Sequence, residues 1–216
     1  MKKRLLSLTA MVVFTCTAIP LVAQEDVKSL DRPNEIYGGY GAGSLYLFTG
    51  SIGHHYKVLE DYYYYSYTEE EDPTSIGTFF LGYNRKINKF LTVGFLVSYM
   101  HLDQDVTYIE DPYYTGDTIQ HHGQNSDHLI NGIAKVTINY LRKPFLTLYS
   151  GAAIGVTVDL STITIEGQKE TDRKLLPAGQ LTLFGLRAGR ALAGFVEFGV
   201  GTNGLINAGI SYKIPD

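Results

Sequence analysis

The chain of 216 residues has no tryptophan, one cysteine, three methionines and seven prolines. A single thiol, Cys16, cannot build a disulfide framework or a cysteine zinc site. Few Met and Pro beside 23 Gly and 17 Tyr point to β structure and away from a helical bundle. Positive charge is also scarce. The formal net charge is −4, which speaks against nucleic acid as a partner. Beyond the first two dozen residues there is no helix-length apolar run. A membrane role for the remainder would therefore have to be carried by strands, because only helices and closed barrels satisfy their backbone in lipid. At 44% hydrophobic the chain is too apolar for disorder, and its length suits one domain.

The first segment differs from the rest. Lys2, Lys3 and Arg4 precede an uncharged stretch from Leu5 to Ala23, Pro20 interrupts it, and Glu25 and Asp26 follow. This is the layout of a secretory signal peptide, expected over residues 1–23. An uncleaved anchor is the competing reading, since a run of this length just spans a bilayer. A lipoprotein signal ending at Cys16 fits poorly, because Phe14 is bulky and apolar residues continue beyond the cysteine. Cleavage would leave 15 basic residues against 22 acidic, and no cysteine, as suits an exported protein. Residues 24–34 are then a short N-terminal segment, and residues 35–216 the main domain.

Within that domain, period-two alternation recurs in eight segments. Expected strands run from Ile36 to Phe48, from Ser75 to Arg85, and from Phe90 onward. Further strands surround Ile130–Tyr140, Leu146–Val158, Gln180–Leu186, Ala193–Val200 and Ile206–Ile214. The last sets Ile206, Ala208, Ile210, Tyr212 and Ile214 against Asn207, Gly209, Ser211 and Lys213. The segment at 180–186 is untidy, because Phe184 and Leu186 fall on its polar side.

Connectors are tight at 86–89, 141–144 and 188–190. They are long near 49–74 and 102–127, intermediate near 159–174, and short again at 202–204. Charge sorts with them. The tight turns hold Arg85, Lys86, Lys89, Arg142, Lys143, Arg187 and Arg190, whereas the long loops are acidic. A meander with two unlike ends is the plan of an outer-membrane barrel.

The less apolar parity decides which face meets water. In a soluble barrel of lipocalin type it would carry many Lys and Glu. Here it is mainly Gly, Ser, Thr and Asn, which suits a narrow packed lumen. Lys135, Glu197 and Lys213 share this parity and are the expected enclosed charges. Tyr83, Phe90, Tyr140, Phe145 and Tyr212 at one end, with Tyr46, Phe48 and Tyr99 at the other, would form two aromatic girdles. The fold expected is all-β, an eight-stranded antiparallel up-and-down transmembrane β-barrel.

The region from Glu35 to Ile214 resembles the small OmpA/OmpX-type outer-membrane β-barrels. The stretch Gly194-Phe195-Val196-Glu197-Phe198-Gly199-Val200-Gly201, followed by Gly204 to Lys213, resembles the closing hairpin of such domains. The resemblance is to the OmpX type more than to full-length OmpA. It implies export to the bacterial outer membrane, help from the barrel assembly machinery, and contact with outer-membrane lipid and lipopolysaccharide.

Fold alone does not settle activity. An eight-stranded interior is just wide enough for side chains, so an open pore is not expected. The expected role is structural or adhesive, with porin-like architecture and binding to an extracellular ligand or surface through long acidic loops. Tyr62, Tyr63, Tyr64 and Tyr65 in the first loop, and Tyr113 and Tyr114 in the second, are the interaction candidates. His54-His55 and His121-His122 could ligate a metal between loops, but adjacent histidines point opposite ways on a strand, so no metal site is expected. Nor is a cofactor. A soluble barrel binding a small apolar ligand is the alternative. A lipid-modifying enzyme is the second alternative, with Ser126, Asp127 and His128 as its only local triad chemistry. Their adjacency is the wrong geometry, so no catalytic residue is assigned and enzyme activity is not expected.

Overall fold

The computed structural model describes residues 33–49, 66–70, 74–110, 119–165 and 168–214. The expected signal peptide, Tyr62 to Tyr65, Tyr113, Tyr114 and His54-His55 lie outside the described residues. The elements are β1 (Asn34–Ala42), α1 (Leu45–Thr49), β2 (Ser66–Glu70), β3 (Thr74–Lys86), β4 (Leu91–Glu110), β5 (Ile119–Lys143), β6 (Leu146–Ile165), β7 (Gln168–Gly189), β8 (Leu192–Gly201) and β9 (Ile206–Ile214). No described helix is long and apolar enough to cross a membrane.

Eight antiparallel strands form one up-and-down ring. Starting from β3, neighbours run β4, β5, β6, β7, β8, β9 and β1, which returns to β3. Closure rests on β1, whose residues from Asn34 to Ala42 pair with Ile214 to Ile206 on one side while its other edge pairs with β3. The ring therefore leaves no open edge along β1 and β9. The ninth strand, β2, lies outside it and pairs with β4 over Val106 to Glu110.

Alternation along each strand divides the side chains by face, because successive Cβ atoms point to opposite sides. On β9, Asn207 and Ser211 are buried while Ile206, Ile210 and Tyr212 are exposed. Leu81, Ile154 and Ile210 are 69%, 77% and 66% exposed, and all face outward. The interior instead buries Asn131, Asn207, Thr78, Thr157, Thr182, Ser98 and Ser161. Outside is apolar and inside is polar. The apolar exterior has an upper limit. On β4, Phe95, Val97 and Tyr99 are exposed, and above them the outward positions become His101, Asp103 and Asp105. On β5, Ile138, Val136 and Ile130 likewise give way to His128, Ser126 and Gln124.

Two layers fill the lumen. Tyr37, Phe80, Leu96, Ile133, Ala178 and Phe195 form one. Their three rings meet at 6.0–6.3 Å between centroids. Nearer the loop end, Met100, Leu102 and Leu129 pack around Tyr46. Between them a hydrogen-bond chain crosses the barrel. Tyr46 Oη donates to Thr157 Oγ1 at 2.5 Å, Thr157 to Asn131 Oδ1, Asn131 Nδ2 to Ser98 Oγ at 2.7 Å, and Ser98 to Asn203 Oδ1 at 2.9 Å.

Several expectations need correction. The first strand ends at Ala42 instead of reaching Phe48. Gly43 turns the chain with a φ of 74°, Ser44 Oγ donates to the Thr202 carbonyl, and α1 drops Tyr46 into the mouth. Tyr46 is thus a buried plug residue and belongs to no girdle. The untidy segment at 180–186 has a register shift between Thr182 and Phe184. An extra residue puts Leu183 and Phe184 both outside and turns Gly185 and Arg187 inward. A second shift, between Asn139 and Leu141, brings Arg142 level with the inward Thr147. The span assigned to an intermediate link at 159–174 is mostly strand, since β6 and β7 pair out to Ile165 and Gln168. Likewise β4 and β5 stay paired to Glu110 and Ile119, inside the second long loop.

Inward glycines make room for two tyrosines. Gly82 pairs with Tyr37 and Gly185 with Tyr149, and a Cβ on either glycine would collide with the ring laid across it. Gly185→Ala should therefore lower the unfolding free energy of the refolded protein by about 1–3 kcal/mol. Outward Gly132 has open space where its Cβ would stand. Gly132→Ala should stay within about 0.5 kcal/mol of the parent. Urea titration of both variants checks the contrast.

Candidate functional site: charges enclosed in the lumen

Each of the eight ring strands sends at least one side chain to a cavity of about 50 Å³ at the tight-turn end. Two ion pairs dominate it. Lys135 Nζ on β5 meets Glu197 Oε1 on β8 at 2.6 Å, and both residues are 6% exposed. Tyr149 Oη donates to the same carboxylate oxygen at 2.8 Å. The Lys135 ammonium also sits 5.5 Å and 5.8 Å from the centroids of the Tyr37 and Tyr149 rings, so two aromatic faces replace part of its hydration.

The second pair was not anticipated. Arg187 Nε donates to Glu35 Oε1 at 2.5 Å and to Ser211 Oγ at 2.8 Å. Its Nη1 reaches the Gly189 carbonyl, and its Nη2 the carbonyls of Arg190 and Ala191. One guanidinium thus neutralises a carboxylate on β1 and caps the β7–β8 turn. Proximity to a tight turn had assigned Arg187 to the turn surface; the bulge at Thr182 reverses the parity and brings it indoors. Arg142 is displaced in the same way by the shift at Asn139, and lines the cavity too. Lys213, the third enclosed charge expected from the sequence, also lines the cavity.

Outside the lumen, Ser126 and His128 take the outward face of β5, whereas Asp127 is buried on the inward one. The backbone separates Asp127 from the other two, so they form no triad. His128 Nδ1 bonds the Tyr99 hydroxyl at 2.9 Å. His101 stacks on the His128 ring at 4.6 Å, and its Nε2 lies 2.9 Å from Asp103. His122 is exposed beside Thr107. Among the described residues no three metal-ligating side chains converge.

Comparison of the chain with protein-family models, curated proteins and solved structures gave no match.

Removing one partner of a buried pair strands the other charge, at a cost of about 3–5 kcal/mol. Glu197→Leu should accordingly destabilise the refolded protein by about that much. Adding Lys135→Met to Glu197→Leu should recover most of the loss. A double-mutant cycle in urea measures the coupling, and additive single losses would show that the pair contributes none.

Proposed function

We propose that the chain is an integral protein of the bacterial outer membrane, a transmembrane β-barrel of eight strands exported by its N-terminal segment. Its role is structural or surface-binding, exercised through acidic, tyrosine-rich loops on the outer side. The observation that carries this reading is the partition of side chains across the ring wall. Large apolar groups cover the outside, and polar groups and ion pairs fill the inside. In water such an exterior would be an aggregation surface, whereas in lipid it is the required one. The sharp upper limit of the apolar exterior at Tyr99 and Ile130, with histidines, Ser126 and Asp103 beyond it, matches a hydrocarbon-to-headgroup boundary.

The interior supports a sealed barrel. The Tyr37, Phe80 and Phe195 rings and the chain from Tyr46 to Asn203 cross the lumen at two heights. The charged, polar lining of the cavity suits a small apolar ligand poorly, which disfavours the soluble-barrel alternative.

Fractionation, gel migration, folding stability and conductance each test the proposal. The protein should fractionate with the outer membrane and migrate faster on gels before boiling than after. Ile154→Arg, placing a cation in the hydrocarbon, should reduce folding stability in bilayers by about 2–4 kcal/mol; recovery of the native chain as a soluble monomer without detergent would overturn the reading. In planar bilayers the native protein should give no steady pore current, and paired Phe80→Ala and Phe195→Ala changes should introduce leak events. Large stable conductance from the native protein would refute the sealed lumen.

A further inference from the structure

Charged side chains line the cavity at the tight-turn end. Arg142, Arg187, Lys135 and Lys213 line it against Glu35 and Glu197. Both carboxylates are already engaged, one by Lys135 and one by Arg187, and Arg142 takes part in neither pair. Arg142 lines the cavity from β5 and donates only Nη1, to the Lys89 carbonyl at 3.2 Å, among the hydrogen bonds of the described residues. Its remaining donors form a planar fork of the kind that matches an oxyanion.

A second observation points to the same space. Tyr37 lines the cavity and is 5% exposed, yet its hydroxyl has no hydrogen-bond partner among the described residues. A buried hydroxyl left unpaired loses its hydration with nothing in return. An acceptor entering the cavity would relieve that cost. The volume of about 50 Å³ takes a few waters or one small polyatomic anion, and the Tyr37–Phe80–Phe195 layer closes the way onward.

We propose that this vestibule at the tight-turn end binds a small oxyanion, a phosphate or carboxylate group, held by the Arg142 fork and the Tyr37 hydroxyl. The site is a dead end, so it holds its ligand and does not conduct it. Charge alone would admit chloride, but the fork favours a partner with two oxygens in one plane. The inference depends on the ring and its cavity, not on where the ring resides.

The test uses the full mature chain refolded in a zwitterionic detergent. Sodium phosphate is titrated against sodium chloride at equal ionic strength, by calorimetry and by backbone-amide NMR. Saturable phosphate binding with shifts centred on the β5–β6 turn and β1 is expected. Arg142→Met should weaken it at least about tenfold, the loss of one charge-assisted contact. Tyr37→Phe should weaken it by a smaller factor. Arg142→Lys, which keeps the charge and loses the fork, should fall between parent and Arg142→Met. Competition by acetate assigns the site to carboxylates as well, and lack of competition restricts it to phosphate; both sustain an oxyanion site. A linear response without saturation, equal binding of chloride, or unaltered affinity in Arg142→Met would overturn it. Heat-modifiable migration of each sample, scored separately, reports on the membrane reading alone.

Discussion

Pairing of β1 with β9 is the constraint on which the remaining structure depends. Without it the sheet would have two edges and no interior. With it, every position in the ring becomes either inward or outward, and the period of two converts directly into chemistry. The backbone groups satisfy one another around the circle, so the wall demands nothing from its surroundings. The side chains are then free to be apolar on one side and polar on the other, and the eight-strand circumference fixes how much can fit within. An interior of that width forces small residues and glycines opposite large ones, as Gly82 lies opposite Tyr37 and Gly185 opposite Tyr149.

The enclosed ion pairs follow from the same closure. Charges as deeply placed as Lys135 and Glu197 are tolerated because their partner, a tyrosine hydroxyl and two aromatic faces are supplied from other strands. None of these contacts is local in sequence, since 62 residues separate the lysine from the carboxylate. Only the closed ring brings them together. Arg187 works by the same logic while also serving the turn beside it, so the lower lumen and the β7–β8 hairpin form one hydrogen-bonded unit.

Much of this was legible in the sequence, for a physical reason. Alternation is a local property, and a strand with one polar and one apolar face declares both. Phe79 against Thr78, or Ile210 against Ser211, needed no knowledge of neighbours. Lys135 and Glu197 could be put on the inner parity by the same arithmetic. What escaped was whatever broke the period. One extra residue near Thr182 hides Arg187, and another near Asn139 hides Arg142, because a bulge moves every later side chain to the other face; near Thr182 its trace was the apolar Phe184 and Leu186 on the polar parity, which marks a break in the period without saying which residue is the extra one. Tyr46 escaped because its position depends on Gly43 turning the chain and on Thr157 receiving its hydroxyl, a contact spanning 111 residues. The apolar exterior was equally visible as pattern, but pattern does not name a solvent, and the membrane placement stands as a proposal for that reason.

The strands differ greatly in length. β4 to β7 run for 20 to 25 residues, while β1, β8 and β9 have 9 or 10. At about 3.3 Å per residue, ten additional residues extend a strand by roughly 30 Å. The cylinder is therefore cut obliquely, like a quill, with a tall parapet on one flank and a low sill on the other. Among the described residues the molecule therefore has a front and a back, and whatever approaches along the axis meets the parapet first.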